Sequence, residues 1–105
     1  MRVYLDDVRD APLGWIRART PEEVITHLCS GLVEELSLDH DLGLDTRDAE
    51  RSGYSVLVWL EREVGEGRWS FPLPKIEIHS ANPPGRERMR RAIDSIRRLH
   101  AAEES

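Results

Sequence analysis

The sequence predicts a small α/β fold: a sheet of about four strands, packed with three helices, that gathers polar groups at one end. Short apolar runs at residues 2–5, 36–38 and 76–78 each break into ionisable groups, at Asp6-Asp7, Asp39-His40-Asp41 and His79-Ser80. Stretches with helical spacing of apolar residues separate the later runs, so strands and helices alternate. Open α/β sheets place their ligands at such strand ends, and three of them point to one shared site.

Each element has a local reason. In residues 2–5, Val3 and Leu5 alternate with Arg2 and Tyr4. The stretch from Val8 to Gly14 is too short and too broken by Pro12 and Gly14 for a stable helix. A second short strand is expected at residues 15–19, either antiparallel or reached by a helix-free crossover, because a parallel return usually needs about a dozen residues. Thr20-Pro21-Glu22-Glu23 reads as a helix start, with Thr20 as N-cap, Pro21 in the first turn and Glu23 closing a capping box. Val24, Ile25, Leu28 and Leu32 then share a face, and Gly31 marks a nearby end. His27 reads as solvent-facing and Cys29 as an ordinary thiol.

After the central strand, residues 44–52 carry mixed charge and form either a surface connection or a flap over the site. Gly53-Tyr54 opens a second helix with Tyr54, Leu57, Val58, Leu60 and Val64 on its apolar face. Residues 75–78 form the fourth strand. A last helix begins after Asn82-Pro83-Pro84-Gly85, with Asn82 as N-cap and Met89, Ala92, Ile93, Ile96 and Leu99 as its stripe. Val3, Leu5, Leu36, Leu38, Ile76 and Ile78 share one strand parity, and Tyr4, Ser37 and Glu77 share the other. One sheet face is therefore expected to be better covered, with the first two helices on the apolar side.

Composition narrows the class. The 105 residues suit one domain, residues 1–105, and 39% hydrophobic content argues against disorder. The single Cys29 leaves no internal disulfide. With no signal-length apolar start and no span of about 20 apolar residues, a soluble cytoplasmic protein without membrane attachment is expected. Charge is uneven: residues 1–82 hold nine Lys/Arg against sixteen Asp/Glu, whereas residues 83–100 hold six Arg against Glu87 and Asp94. An acidic body with a basic last helix fits a phosphate ligand, or simply a solvated arginine-rich face.

The candidate site follows from the strand ends. Asp6 and Asp7 repel one another unless a cation or Arg9 compensates them, although one of the two could cap the following turn. Asp39 and Asp41 flank His40, where a carboxylate can fix the imidazole tautomer. His79, Ser80 and Asn82 precede a helix N-terminus able to hold a phosphate oxygen, with Arg86 and Arg88 close by in sequence. His40 and His79 as base and acid would suit cleavage of a phosphodiester, with Asp39 beside them. Alternatively Asp6, Asp7 and Asp41 collect a divalent metal such as magnesium that activates water.

The runs Asp-Asp-x-Arg at residues 6–9, Ser-Leu-Asp-His-Asp-Leu-Gly at 37–43, Gly53-Tyr54, and His-Ser-Ala-Asn-Pro-x-Gly at 79–85 resemble the cyclic-phosphate-processing receiver domains. The resemblance implies a receiver-like, flavodoxin-like sheet truncated after its fourth strand. It also implies a phosphate-containing small molecule or RNA terminus as partner, in an RNA-repair or nucleotide context. In an ordinary receiver the acidic pair and the aspartate hold magnesium, the aspartate accepts a phosphoryl group, and a lysine after a fifth strand completes the site. Here no fifth strand is expected after Ser80, no lysine follows Lys75, and Ser55 stands where family members often carry an acidic residue. Three functions follow as expectations: a phosphoesterase acting on a cyclic phosphate, a signalling module phosphorylated on Asp39, or a non-catalytic module that binds phosphate or nucleic acid.

Overall fold

The computed structural model describes residues 1–7, 9–39, 53–79 and 83–104. The chain runs β1 (Arg2–Leu5), β2 (Ile16–Ala18), α1 (Pro21–Leu28), β3 (Glu35–Leu38), α2 (Gly53–Gly65), β4 (Lys75–Ile78) and α3 (Pro83–Glu104). The four strands form one sheet in the order β2-β1-β3-β4, and every pairing is parallel. The direction of β2, open from sequence, is thus settled as parallel. The chain reaches it without a crossover helix, through a turn that the Trp15 N–H closes by donating to the Pro12 carbonyl at 3.0 Å.

Register aligns Val3 with Leu36 and Leu36 with Ile76, and Leu5 with both Ala18 and Leu38. These side chains join Val24 and Leu28 of α1, Val56, Leu57, Leu60 and Val64 of α2, and Met89, Ile93 and Ile96 of α3 in one buried cluster. Each fully buried Leu or Ile contributes roughly 1.5–3 kcal/mol from area removed from water. The three helices therefore serve one core, and α3 packs along α2. The opposite parity carries Arg2, Tyr4, Arg17, Glu35, Lys75 and Glu77, a polar face with ion pairs such as Arg2 to Glu35 at 3.1 Å.

The helix starts follow local chemistry. The Glu23 N–H donates to Thr20 Oγ1 at 3.2 Å, as a capping box requires, while the Glu23 carboxylate accepts from Arg19 N–H rather than from Thr20 itself. Leu32 departs from expectation. α1 stops at Leu28, Gly31 takes a positive φ of 75°, and Leu32 turns outward at 66% exposed, so the apolar spacing overran the helix. Val58 likewise lies outward at 40% exposed, and Val56 takes the core position instead. α3 begins at Pro83, as proline's fit to a first helical turn allows.

Candidate functional site

Each parallel strand ends at the same side of the sheet, so the residues that follow β1, β3 and β4 converge. Backbone bonds extend the ladder past the strand ends: Asp6 N–H donates to Ala18 O, Asp39 N–H to Leu5 O, and His79 N–H to Leu38 O, at 3.0, 3.2 and 3.0 Å. Asp6, Asp39 and His79 come together there, with their ligand-capable atoms all within 4.8 Å of one another. Asp6 is buried, while Asp39 and His79 are partly exposed.

The Asp6 carboxylate has two structural tasks. Its Oδ1 accepts the Arg9 N–H at 2.8 Å and so caps the turn after β1, and its Oδ2 lies 3.4 Å from His79 Nε2. The capping alternative and the site role thus fall on the same residue. Asp7 is partly exposed and is not in the three-residue cluster. Arg17 braces the corner, donating from Nε to the Asp6 carbonyl at 3.2 Å and pairing with Asp10 at the same distance.

His79 is held on several sides. Its Nδ1 lies 2.7 Å from Ser37 Oγ, and the Tyr4 ring stacks on it at 4.1 Å between centroids with planes 6° apart. Trp15 and Tyr4 meet in a T-shaped contact, with ring centroids 6.3 Å apart. Asp6 Oδ2 lies 3.4 Å from Nε2, a long approach, and among the described residues the buried Nε2 has no hydrogen-bond partner within good geometry. Burial pushes the imidazole below its ordinary 6.5, against the pull of the Asp39 and Asp6 carboxylates in the opposite direction.

Ser37 and Tyr4 are contributors to which the sequence assigned no site role, although Ser37 opens the run at 37–43. Both carry the same strand parity as Asp6, Asp39 and His79, and that shared parity was the available signal. Arg9 and Arg86 are exposed, and Arg9 lies near enough to His79 for its charge to disfavour a protonated ring. The Arg88 guanidinium lies 4.6 Å from the Tyr54 ring centroid, a cation–π contact across the α2–α3 seam. His40, Asp41, Ser80, Asn82 and the 44–52 segment lie outside the described residues.

A four-stranded parallel sheet with three helices, ending in carboxylates from β1 and β3 and an imidazole from β4, is a receiver-like α/β domain with an acidic site at its strand ends. The family model for the cyclic-phosphate processing receiver domain matches residues 1–95. The chain belongs to that family. No curated protein and no solved structure matches it significantly. Among the described residues, no helix is long and apolar enough to cross a membrane.

Proposed function

We propose that this domain is a phosphoesterase that opens a cyclic phosphate on a nucleotide or an RNA end. The observation that carries the reading is the meeting of Asp6, Asp39 and His79, from three strands, within 4.8 Å. Phosphoryl transfer to an aspartate needs a carboxylate and cations. An imidazole facing the carboxylates adds a group suited to the oxygens and protons of ester hydrolysis.

In the reaction, a water oxygen bonds to phosphorus and one ester P–O bond breaks. The water proton passes to a base, and the leaving sugar oxygen takes up a proton. His40 and His79 are the imidazoles assigned to these steps, with Nε2 of His79 facing the site and Asp39 and Asp6 orienting them. Ser80, Asn82, Arg86 and Arg9 are assigned to the phosphate oxygens.

Metal-assisted hydrolysis is a second reading supported by the same cluster. A buried Nε2 with no described hydrogen-bond partner, beside two carboxylates, fits a divalent ion. The mixed oxygen and nitrogen donors suit manganese or zinc better than magnesium, which prefers oxygen. Asp6, Asp39 and His79 would hold it, with Asp7 and Asp41 as further candidates. Such an ion would neutralise charge developing on the phosphoryl oxygens.

Hydrolysis of a 2′,3′-cyclic nucleotide and of RNA with a cyclic end tests both readings. His79→Ala, His40→Ala and Asp39→Asn are each expected to lower turnover by roughly 10²–10⁴-fold. Undiminished turnover in both histidine variants would sink the proposal. Loss on chelation with recovery on adding manganese favours the metal-assisted form. A mass gain after incubation with a small phosphodonor and magnesium, without hydrolysis, favours phosphoacceptance at Asp39.

A further inference from the structure

Ser37 has no part in the reaction as written, yet it is buried at 7% exposure and its hydroxyl lies against the one imidazole of the described site. We infer that Ser37 is a positioning residue that holds the neutral ring of His79 as the Nε2–H tautomer, so that the ring meets a bound phosphate as a hydrogen-bond donor. The inference rests on the phosphoesterase reading for the identity of the ligand, but the state of the ring does not.

The geometry on the two sides of the ring is unequal. Nε2 faces Asp6 Oδ2 at 3.4 Å, with Asp39 in the same cluster, and carboxylates only accept hydrogen bonds. Nδ1 faces the Ser37 hydroxyl at 2.7 Å, and a hydroxyl both donates and accepts. One arrangement satisfies both sides: Nε2–H directed at the carboxylates and Ser37 O–H donated to the Nδ1 lone pair. The opposite tautomer sets the Nε2 lone pair against carboxylate oxygens and turns the Ser37 proton away from the ring. Tyr4, stacked at 4.1 Å and nearly parallel, holds the ring plane and resists the flip that would exchange the two nitrogens.

Two consequences follow for the chemistry. A neutral ring of this tautomer polarises a phosphoryl oxygen by hydrogen bonding, and it takes part in proton transfer only after Nδ1 is protonated and the Ser37 hydroxyl turns from donor to acceptor. A divalent ion that took His79 as a ligand beside Asp6 and Asp39, as in the metal-assisted reading, would have to displace the Nε2 proton.

The full chain, labelled with ¹⁵N at histidine and observed in mildly alkaline buffer by two-bond N–H correlation, reports the tautomer directly. His79 signals are identified as those missing from His79→Gln. The expected result is a protonated-type shift for Nε2 and a lone-pair-type shift for Nδ1. In Ser37→Ala the two shifts should draw together as tautomers mix, and Ser37→Thr should restore their separation. A protonated Nδ1 in the wild-type chain, or full separation retained in Ser37→Ala, overturns the inference. Should Ser37→Ala fail to fold, Ser37→Cys, a weaker donor of similar size, makes the same comparison. No substrate enters this measurement: the expected tautomer in a chain that hydrolyses no cyclic phosphate refutes the phosphoesterase reading alone. Hydrolysis by a chain with the other tautomer refutes the role of Ser37 alone.

Discussion

His79 is a titrating group set between opposing influences, and its protonation should be visible in stability. Burial lowers its proton affinity in the folded chain, while Asp39 and Asp6 oppose that effect without overcoming it. As pH falls, the unfolded chain therefore takes up this proton before the folded chain does. The contribution is complete above the ordinary value of 6.5 and is lost progressively below it. We expect the stability difference between the wild-type chain and His79→Gln to shrink on acidification through this range, read from thermal midpoints at a series of pH values. A difference that widens instead would show that the carboxylates, and not burial, control the ring. Ser37 and Tyr4 add no charge to this balance. Their part is geometric, which is why neither residue type by itself drew notice as a site residue.

Among the elements, the junction of β3 with α2 governs where Asp39 sits. Gly53 opens α2, and its N–H donates to the Asp39 carbonyl at 2.9 Å, so the helix start abuts the strand end directly. A Cβ at this position would collide with the Asp39 carbonyl oxygen and lie 2.9 Å from Met89 Cε and 3.1 Å from Leu38 Cβ. The backbone oxygen cannot move aside as a flexible side chain would. Gly53→Ala is expected to cost about 1–3 kcal/mol, measured by urea denaturation, and to displace Asp39 from the cluster. Unchanged stability would mean that the junction has slack that its packing does not reveal. Sequence marked Gly53 as a helix opening. The close approach that demands glycine depends chiefly on the Asp39 carbonyl oxygen, with Leu38 and Met89 beside it, residues distant along the chain. Thr20 differs: its cap was readable because every partner lies within four residues.

On the scale of the whole molecule, one sheet face carries all three helices and the core, while the other is polar and leads to the site. Stability is thus concentrated in a single layer contact. Ile96, fully buried in that layer on α3, should cost about 2–5 kcal/mol when replaced by Ala. Trp59 and Trp69 form an edge-to-face pair within or against the core, whereas Trp15 lies by Tyr4 at the other face. If both faces belong to one cooperative unit, tryptophan fluorescence and far-ultraviolet circular dichroism should give the same urea midpoint. Separate midpoints would show that the polar face opens independently of the core.

Alternation, capping and turn residues act through neighbours in the chain, so the strands, the helix starts and the acidic strand ends could be read from the sequence alone. The parity of Val3, Leu36 and Ile76 similarly announced a sheet with unequal faces. Packing decided the remainder, because it depends on residues far apart in sequence. The short crossover to β2 turned out parallel only once its pairing with β1 was known, and α3 chose its side by meeting α2. Distance also selected Asp6 over Asp7 for the cluster and brought Ser37 and Tyr4 to the ring of His79. A side chain's direction relative to a partner 42 positions away, as between Ser37 and His79, is set by strand register and by no local preference.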